Sequence, residues 1–232
     1  MAQSLAAPDP ERVRANIATA RERIAAACAR TGRQPSEVEL LAATKYLPAA
    51  QLGVLAQAGI DLVGENVASD LVLKHELFGD RMTFDFIGHL QSRKTKDVLP
   101  RVRLIHSVES ESVLRQLERH SPAPVTVLME VNLSREHTKF GLEPHDVDAF
   151  VDSAARYPKV RFGGLMTMPP MTVDPEEARP YFSALRELAV HLRESCAPEH
   201  PFDALSMGTS QDFEVAVEEG ATMVRLGAVL YA

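Results

Sequence analysis

Hydrophobic and polar positions along this chain follow a rhythm that repeats from end to end. Between Asp9 and Arg30, Val13, Ile17, Ile24 and Cys28 recur at helical spacing with Arg and Glu on the other side, which predicts an amphipathic helix. Asp9 can accept from the free N–H groups of the first turn, Pro10 suits the first helical position, and Gly32 is placed to end the helix. A short, almost wholly apolar run follows, Val38–Lys45, and Pro48 then opens a helical pattern through Leu52 and Leu55 to Gly59. Further apolar runs cover Ile60–Gly64, Thr83–Gly88, Val102–Val108, Val125–Val131, Val160–Thr167, Ala204–Met207 and Thr222–Leu230. Helical spacing fills Val67–Leu77, Glu111–His120, Asp146–Tyr157, Pro175–Cys196 and Asp212–Gly220.

Strand followed by helix, repeated, predicts a parallel sheet. Continuous apolar runs fit strands covered on both faces, and eight of them in 232 residues favour an α/β fold of the (β/α)8 TIM-barrel type, with an additional N-terminal helix, over an open sheet with a second domain. No shift of composition marks a linker, so one domain spanning residues 1–232 is expected.

Composition narrows the partners. At 45% hydrophobic and 25% charged the chain can bury a sizeable core, and a net charge of −7 argues against a surface built for nucleic-acid phosphates. Cys28 and Cys196 have neither zinc-site nor disulfide-framework spacing. No apolar run approaches a membrane span, and the first residues lack a signal peptide's charged and apolar regions. A cytoplasmic monomer with no nucleic-acid or membrane partner is the expectation.

Active sites of such barrels lie where the strands end. Lys45 closes an apolar run, where desolvation would lower its pKa and make the amine a nucleophile able to form a Schiff base with a carbonyl cofactor. Its alternative is a side chain past the strand that snorkels into solvent. Gly208-Thr209-Ser210 before the helix at Asp212, and Gly227-Ala228 after the last run, could present backbone N–H groups to a phosphate, or be ordinary turns. Arg225 lies within an apolar run and needs a partner, structural or ligand. Asn66 and His89 could be a hydrogen-bond donor and a base, or could satisfy loop backbone. The basic run Gln91–Lys96 reads first as a solvated helix face, and Met166, Met168 and Met207 as core or pocket wall. Metalloprotease, nucleophile-elbow and nucleotide-binding motifs are absent, and no metal site is expected.

Seven motifs in order carry a resemblance: Leu41–Lys45, Gly64-Glu65-Asn66, Phe86–Ser92, Asn132–Gly141, Gly164–Met168, Leu205–Gly208 and Met223–Gly227. Over nearly its whole length the chain resembles the pyridoxal phosphate homeostasis protein family, which shares the barrel of alanine racemase's N-terminal domain. The resemblance implies that Lys45 holds pyridoxal 5'-phosphate (PLP) as an internal aldimine and that Arg225 faces the pyridine nitrogen. It further implies that Ser206, Ser210 and the Gly227 and Ala228 amides receive the phosphate, and Asn66, His89 and Met168 are further candidate cofactor-binding residues. Lys139 is similar to the position that in the racemase brings a cation to the ring hydroxyl. Thr209 stands where the family often has Met and Ala228 where it often has Thr, so one hydroxyl contact to the phosphate is missing. A short tail after the last strand is also expected, where this sequence stops at Ala232.

Three functions follow. The first is a protein that buffers PLP and delivers it to apo-enzymes, with no substantial turnover. The second is a PLP-dependent amino-acid racemase, which needs acid–base groups on both faces of Cα. In alanine racemase the opposing tyrosine comes from a separate domain. Of Tyr46, Tyr157, Tyr181 and Tyr231, only the first and last lie near predicted strand tips. The third is a barrel enzyme for a phosphorylated metabolite that uses Lys45 without PLP.

Overall fold

A computed structural model describes residues 8–134, 136, 139–196 and 198–231. Helix α1 (Pro10–Arg30) starts where the Asp9 carboxylate accepts from the Glu11 amide and stops at Gly32, whose φ of +71° turns the chain back. It buries Val13, Ile17, Ala20, Ile24, Ala27 and Cys28, one face of a helix repeat.

Eight strands follow: β1 (Glu39–Ala43), β2 (Leu62–Glu65), β3 (Thr83–Phe86), β4 (Leu104–Val108), β5 (Val125–Glu130), β6 (Val160–Met166), β7 (Ala204–Thr209) and β8 (Met223–Leu226). Each is parallel to its neighbours, and β8 pairs with β1, closing the barrel in sequence order. Outside them lie α2 (Gly53–Gln57), α3 (Ala68–Phe78), α4 (Thr95–Val98), α5 (Glu111–His120), α6 (Val147–Ser153), α7 (Arg179–Ser195) and α8 (Phe213–Glu218). The expected α/β TIM-type barrel with an N-terminal helix is therefore the fold observed. No helix among the described residues is long and apolar enough to cross a membrane.

Four expected boundaries need correction. The run Val38–Lys45 overshoots its strand, because pairing ends at Ala43 and Thr44–Leu47 close a turn through Leu47 N–H to Thr44 O at 2.9 Å. Lys45 is consequently exposed rather than part of a buried strand. The run Thr222–Leu230 divides into β8 and a 3-10 turn over Ala228–Leu230, hinged at Gly227. That turn is as apolar as the strand, so periodicity alone could not separate them. In the third case the helix expected from Asp212 starts at Phe213 and has only six residues. Conversely β7 runs two residues beyond Met207, past a register shift against β8 that lies between Ser206 and Thr209.

Candidate functional site at the strand C-termini

Six of the nine residues expected at the site line one cavity of about 350 Å3: Lys45, Asn66, Met168, Ser210, Arg225 and Gly227. They come from the ends of β1, β2, β6, β7 and β8, which only barrel closure makes neighbours. A hollow of about 390 Å3 below β4 and β5, edged by Pro100, Pro122 and Pro124, gathers none of them.

Lys45 sits two residues past β1, its Nζ 4.7 Å from the centre of the Tyr46 ring. Beneath it a buried ion pair holds the strand end. Lys74 of α3 donates to Glu65 Oε1 at 2.5 Å and to Thr44 O at 2.7 Å, and the Thr44 hydroxyl also donates to Glu65 Oε1. Asn66 follows in the chain. Its Oδ1 is buried and has no hydrogen-bond partner among the described residues. Gly88 makes that packing possible, because a Cβ there would collide with the Asn66 backbone.

Arg225 is buried in β8 and donates four hydrogen bonds. Nη1 reaches Ser206 O (2.7 Å) and Ser206 Oγ (2.5 Å), while Nη2 reaches Thr167 O (2.9 Å) and Met168 Sδ (3.1 Å). Burial pulls its pKa down to about 10, against the pull of Glu130 and Asp212. It stays charged at neutral pH.

Across the cavity, Gly208 at φ +91° bends β7 one residue before its end, where a Cβ would press on Phe213 and Ala216. Asp212 Oδ1 then accepts from Thr209 N (2.6 Å) and Thr209 Oγ1 (3.0 Å), so the hydroxyl at position 209 is already engaged. Ser210 Oγ accepts from the Gly227 amide at 3.3 Å, joining the two loops.

Three expected residues lie off this wall. Ser206 is fully buried, and its Oγ meets Arg225 and His106. Ala228 is exposed at the start of the 3-10 turn. His89 stacks on Phe140 with ring centroids 4.0 Å apart and meets Glu109 Oε1 at 2.9 Å. Lys139 reaches towards the rim, with Nζ 3.4 Å from both Met168 O and a Glu136 carboxylate oxygen. Residues 135, 137 and 138 of the Asn132–Gly141 motif lie outside the described residues. Sequence reasoning missed Glu65–Lys74 and Glu130. A lysine on the buried face of α3, one turn after Leu71, was the available signal for the first.

Glu130 carries a prediction. Burial, then the neighbouring Glu109 carboxylate, pushes its pKa up to about 7 against the opposing Arg225. The folded state therefore holds this proton more tightly than the unfolded chain. The stability it contributes is complete below the unfolded value of 4.5 and is lost as pH rises through about 7. Such a shift corresponds to about 3 kcal/mol. Urea unfolding of Glu130→Gln should lose this fall in stability between acidic and neutral pH; a wild-type slope in the variant would refute the assignment.

The sequence profile of the alanine racemase N-terminal domain family matches residues 9–232. A curated relative from Aquifex aeolicus, named pyridoxal phosphate homeostasis protein, is 38% identical over 214 residues, covering 90% of this chain and 93% of the relative. The chain belongs to the pyridoxal phosphate homeostasis protein family. Among solved structures, PipY of Synechococcus elongatus with PLP bound is similar at a TM-score of 0.78 and 30% identity, over 91% of this chain and 99% of that one. An unknown protein from Bifidobacterium adolescentis is similar at a TM-score of 0.89 and 31% identity, over 96% and 95% of the two chains. In this member of the homeostasis family, Lys45, Asn66 and Arg225 line one cavity.

Proposed function

We propose that this chain binds PLP through Lys45 and holds it for storage and delivery to apo-enzymes in the cell, without substantial turnover. The observation that carries the reading is the shared cavity wall, where the exposed amine of Lys45 and the buried guanidinium of Arg225 face one space at the strand C-termini. The residues fit the cofactor. Asn66 lines the cavity, its buried Oδ1 has no hydrogen-bond partner among the described residues, and its amide can turn either a donor or an acceptor towards a ligand. Ser210 and Gly227 offer a hydroxyl and a loop backbone where a phosphate would be received. Support also comes from the relatives' name and from PipY, solved with PLP bound.

Bound PLP supplies an aldehyde that reacts with amines and a ring whose power to accept electrons depends on protonation of its nitrogen. Arg225 can only donate at that nitrogen, which disfavours a proton there and damps carbanion chemistry. Besides Lys45 and Arg225, Asp212 is the one ionisable side chain among the described residues lining the cavity, and its Oδ1 already accepts from Thr209. Proton transfer on both faces of a substrate carbon requires two poised groups, so this wall suits retention better than racemisation.

PLP-loaded protein incubated with D- or L-alanine in D2O should exchange the Cα hydrogen far more slowly than about 1 per second, a slow enzyme's rate. It should also restore activity to an apo-enzyme that needs PLP. Exchange at about 1 per second or faster, abolished by Lys45→Ala, would overturn the storage reading.

A further inference from the structure

Four fully or almost fully buried polar side chains cross the barrel interior in a line that ends at Arg225. His106 of β4 places Nε2 3.1 Å from Asp85 Oδ2 of β3 and Nδ1 2.9 Å from Ser206 Oγ of β7. Ser206 Oγ in turn lies 2.5 Å from Arg225 Nη1. At the far end Arg103 donates to both Asp85 oxygens, at 3.1 and 2.7 Å, and to the Glu39 carboxylate at 2.8 and 3.1 Å. Asp85, His106 and Ser206 belong to neither the cavity wall nor the apolar packing.

Its ends fix its direction. A carboxylate only accepts and a guanidinium only donates. Burial opposes ionisation of Asp85, but hydrogen bonds from His106 and Arg103 hold its pKa below the ordinary carboxylate value. Burial lowers His106 despite Asp85, and Arg225 and Arg103 add to the lowering, so the imidazole is neutral. Nε2 then carries the hydrogen that Asp85 accepts, and bare Nδ1 must accept from the Ser206 hydroxyl. The Ser206 oxygen is left to accept from Arg225. Every hydrogen in the chain is thereby assigned, running from Arg225 through Ser206 and His106 to Asp85.

We propose that Asp85, His106 and Ser206 form a positioning relay that locks the Arg225 guanidinium, so that its Nε–H is the donor kept for an aromatic ring nitrogen that carries no proton. Both Nη groups are committed, to Ser206 twice and to Thr167 and Met168, whereas Nε–H has no partner among the described residues. Rotating the guanidinium to use another donor would break the Ser206 bond and leave His106 Nδ1 and the hydroxyl without their fixed arrangement. The relay thus fixes which donor of Arg225 meets the nitrogen edge of the ring, and this purpose rests on the PLP reading above.

The test substitutes His106, which does not touch the cavity. His106→Met is close in length but can neither donate to Asp85 nor accept properly from Ser206. His106→Gln keeps an amide that can do both. The Met variant is expected to release PLP with a dissociation constant raised about tenfold, the effect of one lost buried hydrogen bond, and to shift the visible band of the bound cofactor. The Gln variant should restore both readouts. In cofactor-free wild-type protein at neutral pH, 15N NMR should show His106 neutral, with hydrogen on Nε2. Wild-type affinity and spectrum in the Met variant, a Gln variant as impaired as Met, or a His106 with hydrogen on Nδ1 would each overturn the relay. Should the Met variant fail to fold, the Gln variant and the NMR of the wild type still decide it. A wild-type protein that takes up no PLP would instead overturn the cofactor reading, and the relay's purpose with it, an outcome separate from those three.

Discussion

Glu65→Leu or Lys74→Met alone is expected to destabilise the protein by about 3–5 kcal/mol, because each leaves the partner's charge buried without compensation. Both side chains are almost completely buried, at 0% and 4% exposure, so water cannot take the place of the missing partner. The loss also spreads to the site. Lys74 holds the Thr44 carbonyl, and Thr44 opens the turn that presents Lys45. Either variant should therefore retain PLP poorly as well as unfold at lower urea. The double substitution, which removes both charges, should recover much of the stability, since replacing a buried pair by apolar side chains is often close to neutral. Urea midpoints and slopes of the four proteins give the coupling directly. Purely additive losses would mean that the pair acts through two unrelated environments rather than as one unit.

Lys45→Ala should abolish the visible absorption of bound cofactor and lower PLP retention by more than about 100-fold, the consequence of losing a covalent anchor while the non-covalent contacts remain. Stability should scarcely change. Lys45 is exposed, lies beyond β1, and its Nζ meets only the Tyr46 ring among the described contacts, so truncation removes little packing. This separation of effects distinguishes Lys45 from Lys74, whose loss should do both. Equilibrium dialysis against PLP, together with a thermal melt of the same samples, checks both halves of the expectation. Retained colour in Lys45→Ala would place the anchor on another lysine, with Lys139 at the rim the nearest rival on sequence grounds.

The barrel was legible because its strands are apolar on both faces and its helices carry one apolar stripe, two periods that the chain alternates eight times. Strand ends were harder to read. The 3-10 turn at Ala228–Leu230 is as apolar as β8, and Lys45 adjoins a strand without belonging to it. Lys45 is exposed rather than buried, and its place on the cavity wall is what brings its amine to the site. Residues brought together by closure, such as Asn66 and Ser210, were accessible only as separate strand tips. Spacing could not show that Ser206 points beneath the cavity or that His89 stacks on Phe140. Nor could it pair Asp85 with His106 and Ser206, since these contacts join positions far apart in the sequence and depend on which strand residues face inward.

The most direct test of the central claim is peptide mass mapping after borohydride reduction of PLP-loaded protein, which fixes any lysine–aldehyde bond in place. The pyridoxyl phosphate mass is expected on the peptide containing Lys45 and on no other lysine in comparable amount. A label found mainly elsewhere, or no label on protein that had bound the cofactor, would contradict the account.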